Sequence, residues 1–329
     1  MSETLLLVGH GSRNAAGNAE IERFGALWRA RHPDWQIEVC FIELAEVLLD
    51  EGLDRAAARS ANGGRVVVLP FILNAAGHVK MDIPAAVGAA RQRHPEVEFV
   101  CAPHLGLGRD VFGIVMRRLD ALMRELAVPD PRTTGVILLG RGSSDAGANG
   151  EMARLARWVF EAGDHDLVDI AFTGITHPRL ESVVQRQVRL GMTQIVVQPV
   201  YLFTGVLIER IDAQVARLRD TYPQVSFALG SYFGFDEAMF RLLDARALAA
   251  RSGSELLDCD GCSYRLAAEA EHAHHHGHDH DHDHDHDHDH DHDHAHAHDP
   301  QGAGHGCGGG CAGHKHEHAG AHRHPHSHA

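Results

Sequence analysis

The chain has 329 residues, of which 44% are hydrophobic, and its formal net charge is −15 at pH 7. This length suffices for two ordinary domains or one large domain. The acidic balance excludes a basic nucleic-acid-binding surface, which requires clustered positive charge, and no segment approaches the ~18–20 apolar residues that cross a bilayer. The first residues also lack the pattern of a signal peptide. We therefore expect a cytoplasmic protein without a nucleic-acid or membrane partner, in which the six cysteines are reduced thiols or metal ligands.

Short apolar runs alternate with longer amphipathic stretches along the first part of the chain. The strand-like runs are Leu5–Val8, Ile37–Ile42, Val66–Leu69 and Val97–Cys101, and helix-like segments lie near 15–31, 45–61, 79–93 and 109–126. Runs rich in Val, Ile and Leu that alternate with helices predict a parallel sheet covered on both faces. Pro129-Asp130-Pro131 then interrupts the pattern, which restarts with Val136–Leu139.

The second half of the sequence repeats the first at an offset of 128 to 131 residues. The corresponding segments are Leu7–Ser12 with Leu138–Ser143 and Gly77–Val79 with Gly205–Leu207, and Pro95 and Phe99 correspond to Pro223 and Phe227. We therefore predict an α/β fold with two tandem similar domains, residues 1–128 and 132–250, each a parallel sheet flanked by helices.

The carboxy-terminal segment has a different composition. From residue 272 onward it holds 23 of the 30 histidines and no Leu, Ile, Val, Phe, Trp or Tyr, and Asp alternates with His from His278 to His294. Such a segment cannot bury enough apolar surface to offset the entropy of ordering it. We predict a linker at 251–271 and a disordered tail at 272–329 that binds divalent metal ions for storage or delivery. A generic metal buffer, uncoupled from catalysis, is the alternative.

Three potential metal ligands follow the strands of the first half. His10 comes directly after the first strand, Glu43 ends the second, and His78 lies in the loop after the third. Ligands bind beyond the carboxyl ends of the strands in open α/β sheets, so the three side chains should converge. Two imidazoles and a carboxylate suit cobalt, nickel, zinc or ferrous iron.

The repeat favours a functional interpretation of these three residues over ordinary loop positions. The second half has Arg141 in place of His10, Gly174 in place of Glu43 and Val206 in place of His78. All three differences remove metal-binding chemistry, whereas structural residues would be expected in both copies. We therefore predict one catalytic domain and one degenerate, supporting copy.

The segments Val8–Arg13 and Gly77–Pro84 resemble the two signature motifs of the class II tetrapyrrole chelatases. Within that family, the duplicated layout with a histidine-rich tail resembles the long form of the sirohydrochlorin cobaltochelatases. The resemblance covers residues 1 to about 250 and the character of the tail. It implies an ATP-independent lyase reaction on the route to cobalamin, in which Co²⁺ replaces the two pyrrole N–H protons of sirohydrochlorin.

The resemblance also implies roles for individual residues. His10 would be a metal ligand and proton acceptor, His78 the second metal-binding histidine and Glu43 their acidic partner. A further set would contact the macrocycle: Ser12, Arg13, Glu46, Leu73, Asn74, Ala75, Ala76 and Gly77. From their charge, Arg13 and, as additional candidates, Lys80 and Arg141 could pair with its carboxylates. Solvated surface charge is the alternative for these three residues.

Two cysteine pairs form a second candidate site. Cys259 and Cys262 follow the second domain, and Cys307 and Cys311 flank three glycines in the tail. Four thiolates can bind zinc or an iron–sulfur cluster. The long cobaltochelatases resemble this chain in having a cysteine pair that follows a methionine and is associated with a [4Fe–4S] cluster, although Leu257 occupies the methionine's place here.

Other functions remain compatible with the sequence alone. Two histidines and a glutamate do not distinguish cobalt insertion from ferrochelation of sirohydrochlorin or from nickel insertion. A metal-storage protein or metallochaperone would also account for the tail, but it would not require metal ligands in one copy only.

Overall fold

The computed structural model describes residues 2–60, 63–126, 128–263 and 265–266. Strands and helices alternate along this part of the chain. In order, they are β1 (Glu3–Gly9), α1 (Ala15–Arg31), β2 (Gln36–Phe41), α2 (Leu49–Arg59), β3 (Arg65–Pro70), α3 (Ile83–Arg93), β4 (Glu98–Cys101), α4 (Arg109–Glu125), β5 (Thr134–Gly140), α5 (Ala146–Ala162), β6 (Val168–Phe172), α6 (Leu180–Arg189), β7 (Gln194–Pro199), α7 (Val206–Thr221), β8 (Ser226–Leu229) and α8 (Glu237–Ser252). Within the described residues, none of these helices combines the length and apolar character needed to span a membrane.

The strands form two parallel four-stranded sheets of identical topology. The first has the order β2-β1-β3-β4 and the second β6-β5-β7-β8. The central strands β1 and β5 are almost entirely buried, because helices cover both faces of each sheet. The predicted α/β fold with two similar sheets is therefore confirmed.

Two local features depart from the predicted elements. The second helix begins at Leu49 instead of near residue 45, because the segment before it is bonded back to β2: the N–H of Phe41 donates to the carbonyl of Val47 (3.0 Å), and Leu48 forms an isolated parallel bridge with Phe41. Residues His78–Asp82 form a π-turn before α3, closed by a bond from the Ile83 N–H to the His78 carbonyl. π-turns are rare and are often found at functional sites.

The repeat extends to backbone conformation. Gly11 and Gly142 are both left-handed, with φ of 94° and 89°, as are Leu44 and Ile175, with φ of 55° and 62°. A Cβ atom on Gly11 would lie 1.7 Å from the carbonyl oxygen of Glu43. Glycine is therefore required where the loops after β1 and β2 cross.

The two halves share one central core. Phe24 from α1 and Phe240 from α8 stack there with their ring centroids 4.0 Å apart. Helix α4 of the first half packs on β7 and β8, and helix α8 of the second half packs on β3 and β4. Each sheet is thus covered by the last helix of the other half. Smaller cores under α2 and α3, and under α6 and α7, complete the outer faces.

The segment predicted as a linker is attached to the first sheet over its described residues. The N–H of Leu257 donates to the carbonyl of Cys101 (2.8 Å), and the Leu257 side chain is buried. Arg91 donates two hydrogen bonds of 2.7 Å to the carboxylate of Asp260. The predicted tail at 272–329 lies outside the described residues, and the domain boundaries at 1–128 and 132–250 stay predictions.

Candidate metal-binding active site

His10 and Glu43 leave adjacent strands at the same edge of the first sheet. The N–H of Glu43 donates to the carbonyl of His10 (3.2 Å), and His10 Nδ1 lies 3.6 Å from Glu43 Oε1. The side-chain amide of Asn18 donates to the carbonyl of Leu44 (2.8 Å), which holds the left-handed residue beside Glu43 in place. The crossing of the two loops therefore sets the two side chains next to each other.

His78 reaches the same place from the other side of β1. It begins the π-turn that follows β3, the strand paired with β1. Its Nδ1 lies 2.6 Å from Asp82 Oδ2, four residues further along the turn. Donation from Nδ1–H to this carboxylate leaves the basic lone pair on Nε2, the arrangement typical of metal-binding histidines. The predicted site did not include Asp82. Its spacing of four residues from His78 was the sequence signal that could have indicated the contact.

His10, Glu43 and His78 form a cluster. Each offers one ligand atom, and these atoms lie within 4.8 Å of one another. The rings of His10 and His78 meet edge to face with their centroids 4.6 Å apart. Nitrogen and oxygen ligands bind a divalent ion such as zinc at about 2.0–2.2 Å, so two ligands of one ion lie about 4 Å apart at most. Small side-chain rotations would therefore bring all three onto a single ion.

The environment of His10 keeps its imidazole neutral. Burial lowers its pKa from 6.5, and the positive charge of Arg141 and the neighbouring His78 lower it further, against the opposing effects of the Gly11 carbonyl and Glu43. Nδ1 lies 3.1 Å from the carbonyl oxygen of Gly11 and can donate to it. Nε2 is buried and has no hydrogen-bond partner among the described residues. A basic nitrogen is thus available to accept a proton or bind a metal ion.

The predicted macrocycle contacts after β1 and β2 follow His10 and Glu43 within three residues along the chain. Arg13 and Glu46 are exposed. Ser12 has a local structural role, because its Oγ accepts a hydrogen bond of 3.1 Å from the Asn14 N–H and stabilises the turn before α1.

The predicted contacts after β3 divide into two groups. Leu73 is 7% exposed and belongs to the central core, so its side chain supports the loop from beneath. Asn74 has a buried Oδ1 without a hydrogen-bond partner among the described residues. Ala75, Ala76 and Gly77 carry the chain from there to His78 and are accessible to varying degrees.

The strand-end loops of the two halves meet around this site. Lys80 forms an ion pair with Asp145, the residue that caps α5. At the equivalent contact, the Asn14 amide donates to Glu209 Oε1 (3.1 Å). Each contact joins the loop after the first strand of one half, β1 or β5, to the segment after the third strand of the other half, β7 or β3. The pairing with Asp145 offsets the charge of Lys80 and reduces its capacity to bind a carboxylate of a ligand.

The candidate cysteine site is only partly within the described residues. Cys259 and Cys262 are free, half-buried thiols on either side of Gly261, whose φ is 75°. Burial and Cys262 raise the pKa of the Cys259 thiol, while the positive charge of Lys80 lowers it. Cys307 and Cys311 lie outside the described residues. The described residues therefore supply one pair of thiols and do not complete a four-thiolate site.

A family model, CbiX, matches residues 4–122 and again residues 135–250. This chain belongs to the CbiX family. Both copies of the repeat match, and together the matched residues include the whole His10, Glu43 and His78 cluster.

Individual relatives agree with this assignment. The chain is 37% identical over 268 residues to the sirohydrochlorin cobaltochelatase of Priestia megaterium, covering 80% of this chain and 85% of the relative. It is 30% identical over 270 residues to the sirohydrochlorin ferrochelatase of Bacillus subtilis, covering 82% and 100%. Its fold matches the sirohydrochlorin chelatase SirB from Bacillus subtilis subspecies spizizenii in complex with cobalt, with a TM-score of 0.65, 25% identity and coverage of 78% and 100%.

The contact between His78 and Asp82 leads to a first prediction. Asp82→Asn removes the carboxylate that fixes the His78 tautomer, and loss of such a partner typically costs about 10–100-fold in metal affinity. We expect that loss when Co²⁺ is titrated into the tetrapyrrole-free protein. Asp220→Asn, at an exposed position on α7, is the control. Equal Co²⁺ affinity in the two variants would show that Asp82 does not orient His78.

The neutral state of His10 leads to a second prediction, with opposite effects for two variants. In the metal-free protein His10 should titrate below 6.5, Arg141→Gln should raise its pKa, and Glu43→Gln should lower it further. The imidazole C–H resonance, identified by its absence from His10→Ala, reports the titration. A shift in the same direction in both variants would contradict this account of the site.

Proposed function

We propose that this protein is a sirohydrochlorin cobaltochelatase, which inserts Co²⁺ into sirohydrochlorin without ATP in cobalamin biosynthesis. The observation that carries the proposal is the His10, Glu43 and His78 cluster in a chain of the CbiX family. In this proposal both histidines are catalytic and bind the metal, and Glu43 is their acidic partner.

The chemistry requires a base and an exchangeable metal site. Insertion replaces two pyrrole N–H protons with one dication, so the protein must accept protons as the metal leaves its ligands. The neutral His10 imidazole suits proton transfer near neutral pH. Three ligands hold a divalent ion less tightly than a closed four-ligand structural site, and they leave a position open for the pyrrole nitrogens.

Exposed apolar side chains provide surfaces for a flat macrocycle. Leu44 and Leu48 follow β2, Ile175 follows β6, and Val206 begins α7, and they are 41–56% exposed. Large exposed apolar side chains at the strand-end loops of both halves are typical of a ligand-binding cleft. Ser12, Arg13, Glu46 and the segment Leu73–Gly77 are proposed to contact the macrocycle or its carboxylates at the same rim.

The relatives favour cobalt as the substrate metal. The cobaltochelatase relative is 37% identical to this chain, and two ferrochelatase relatives are 28% and 30% identical. Because the ligand set itself accepts cobalt, nickel or iron, competition among the three ions is the direct test of this preference.

Binding of a zinc ion or a [4Fe–4S] cluster stays a prediction for the four cysteines Cys259, Cys262, Cys307 and Cys311. Such a cluster would supply a redox-sensitive centre and would require all four thiolates. The described residues offer two of them, so no step of the proposed reaction involves this group.

Delivery of metal by the tail is supported by the attachment of the segment that precedes it to the folded part of the chain. Cys259 lies near enough to Lys80 for the lysine charge to lower its pKa, and Lys80 is two residues from His78. Arg265 is 7% exposed and donates to the carbonyl of Cys259 (3.0 Å). Arg265 is thus held against Cys259, and the histidine-rich segment begins seven residues further along the sequence, at residue 272.

The third prediction tests the activity. Purified protein should metallate sirohydrochlorin with Co²⁺ in the absence of ATP, and His10→Ala or His78→Ala should reduce the rate by at least about 100-fold. The change in the absorption spectrum of the tetrapyrrole measures turnover, with Fe²⁺ and Ni²⁺ compared at equal free concentrations.

His165→Ala is the matched control, because its imidazole hydrogen-bonds to the carbonyl of Thr134 at the opposite end of β5. That variant should retain the wild-type rate. A protein that binds Co²⁺ and leaves the tetrapyrrole unchanged would instead be a metal-storage protein or metallochaperone.

The fourth prediction concerns the tail. A chain truncated after residue 270 should fold and turn over normally at saturating Co²⁺, because the removed residues lack the apolar groups that bury surface. At low free Co²⁺, set by a chelator buffer, the truncated protein should be slower, since tethered histidines raise the local metal concentration. Identical rates at every Co²⁺ concentration would leave only a generic metal buffer.

A further inference from the structure

The second copy of the repeat retains the loop geometry of the metal site, but a cation and a glycine replace two of the metal ligands. In the first copy the N–H of Glu43 donates to the carbonyl of His10 (3.2 Å), and in the second the N–H of Gly174 donates to the carbonyl of Arg141 (3.0 Å). The same backbone contact therefore presents a metal-ligand pair in one copy and a guanidinium beside a glycine in the other.

A second guanidinium occupies the space vacated by the missing carboxylate. Arg179, the counterpart of Leu48, directly precedes α6. A Cβ atom on Gly174, where the side chain of Glu43 begins in the first copy, would lie 3.9 Å from Arg179 Nη1. That Nη1 atom is buried and has no hydrogen-bond partner among the described residues.

The position of Arg179 is unfavourable for stability. The residue before a helix is commonly Ser, Thr, Asp or Asn, which accept hydrogen bonds from free backbone N–H groups. A cation there also opposes the positive end of the helix dipole. Arg179 makes no capping hydrogen bond, and no carboxylate among the described residues pairs with it or with Arg141. A guanidinium without a carboxylate partner at a helix N-terminus, with a second one across the loop contact, favours the binding of an anion.

Two hydroxyl groups follow the strands on either side of β5. Tyr201, two residues after β7, forms a hydrogen bond of 2.7 Å with Thr173, the residue after β6. Burial raises the pKa of Tyr201 to about 12, while Thr173 and the charge of Arg141 lower it. The phenol is therefore protonated at neutral pH, and it can donate to an anion when the Thr173 hydroxyl is the donor in the bond between them.

We propose that Arg141 and Arg179, assisted by the Tyr201 hydroxyl, form a carboxylate-binding subsite that holds an acidic side chain of the tetrapyrrole. This inference rests on the proposed function and assigns a role to the copy that lacks metal ligands. Arg141 lies near enough to His10 for its charge to act on that imidazole. A macrocycle anchored here by a peripheral carboxylate would extend toward the ligands of the first copy.

The test separates tetrapyrrole binding from metal binding. The dissociation constant of metal-free sirohydrochlorin is measured from its fluorescence, and the Co²⁺ affinity is measured without tetrapyrrole. We expect Arg141→Gln/Arg179→Gln to weaken sirohydrochlorin binding about tenfold or more, because a carboxylate loses two charged donors. Its Co²⁺ affinity should not fall, since the metal ligands are unchanged and two repelling charges are gone.

Arg189→Gln is the matched control, since Arg189 is exposed and ends the same helix that Arg179 precedes. It should bind sirohydrochlorin as the wild type does. Arg141→Gln alone, at an exposed position, should show part of the loss and guards against misfolding of the double variant. Equal binding by the double variant and the Arg189→Gln control would overturn the subsite. A wild-type protein that binds no sirohydrochlorin would instead overturn the proposed function, and the subsite with it.

Discussion

The close contact between the loops after the first two strands of each sheet determines the geometry of the site. At Gly11 a side chain would collide with the Glu43 backbone at 1.7 Å, and at Gly142 it would approach the Gly174 carbonyl oxygen to 2.3 Å. Because neither glycine has a Cβ, the loops cross closely enough for a backbone hydrogen bond to join them. The side chains that follow the two strands then emerge next to each other, whatever their chemistry.

The last helix of each half covers the sheet of the other half. This exchange explains why the site stays assembled although its residues come from several loops. Helix α4 covers the second sheet and α8 covers the first, so the halves cannot separate without exposing the central core. Polar contacts reinforce the exchange, since Asp244 on α8 accepts hydrogen bonds from Trp28 (2.7 Å) and lies 2.8 Å from His32 on α1. Sites held by rigid elements keep the positional precision that binding and catalysis require.

The sequence predicted the fold well because the apolar runs and the repeat are local signals. The predicted helix at 15–31 coincides with α1, and each predicted strand overlaps an observed one. The predicted start of α2 was wrong because periodicity does not reveal that Val47 and Leu48 bond back to β2. The exchange of α4 and α8 was also not predictable, since the same apolar helix face fits either sheet.

For the candidate site, strand-end positions predicted the convergence of His10, Glu43 and His78, which the structure brings together. Arg179 was missed because its significance depends on which residue lies across the loop in space.

Duplication resolves an electrostatic conflict inherent in joining a metal dication to a polyanionic macrocycle. Residues that attract the metal would repel the carboxylates, and arginines that attract the carboxylates would repel the metal, if both sets shared one loop. In the proposed assignment, histidines and a glutamate of the first copy bind the metal and arginines of the second bind a carboxylate, which separates the two requirements while the backbone stays the same. The two copies still interact electrostatically, because the positive charge of Arg141 lowers the pKa of His10. That interaction favours the neutral imidazole, which is the form that binds metal and accepts a proton. Burial is the largest cause of the lowered pKa of His10, and the charge of Arg141 acts in the same direction.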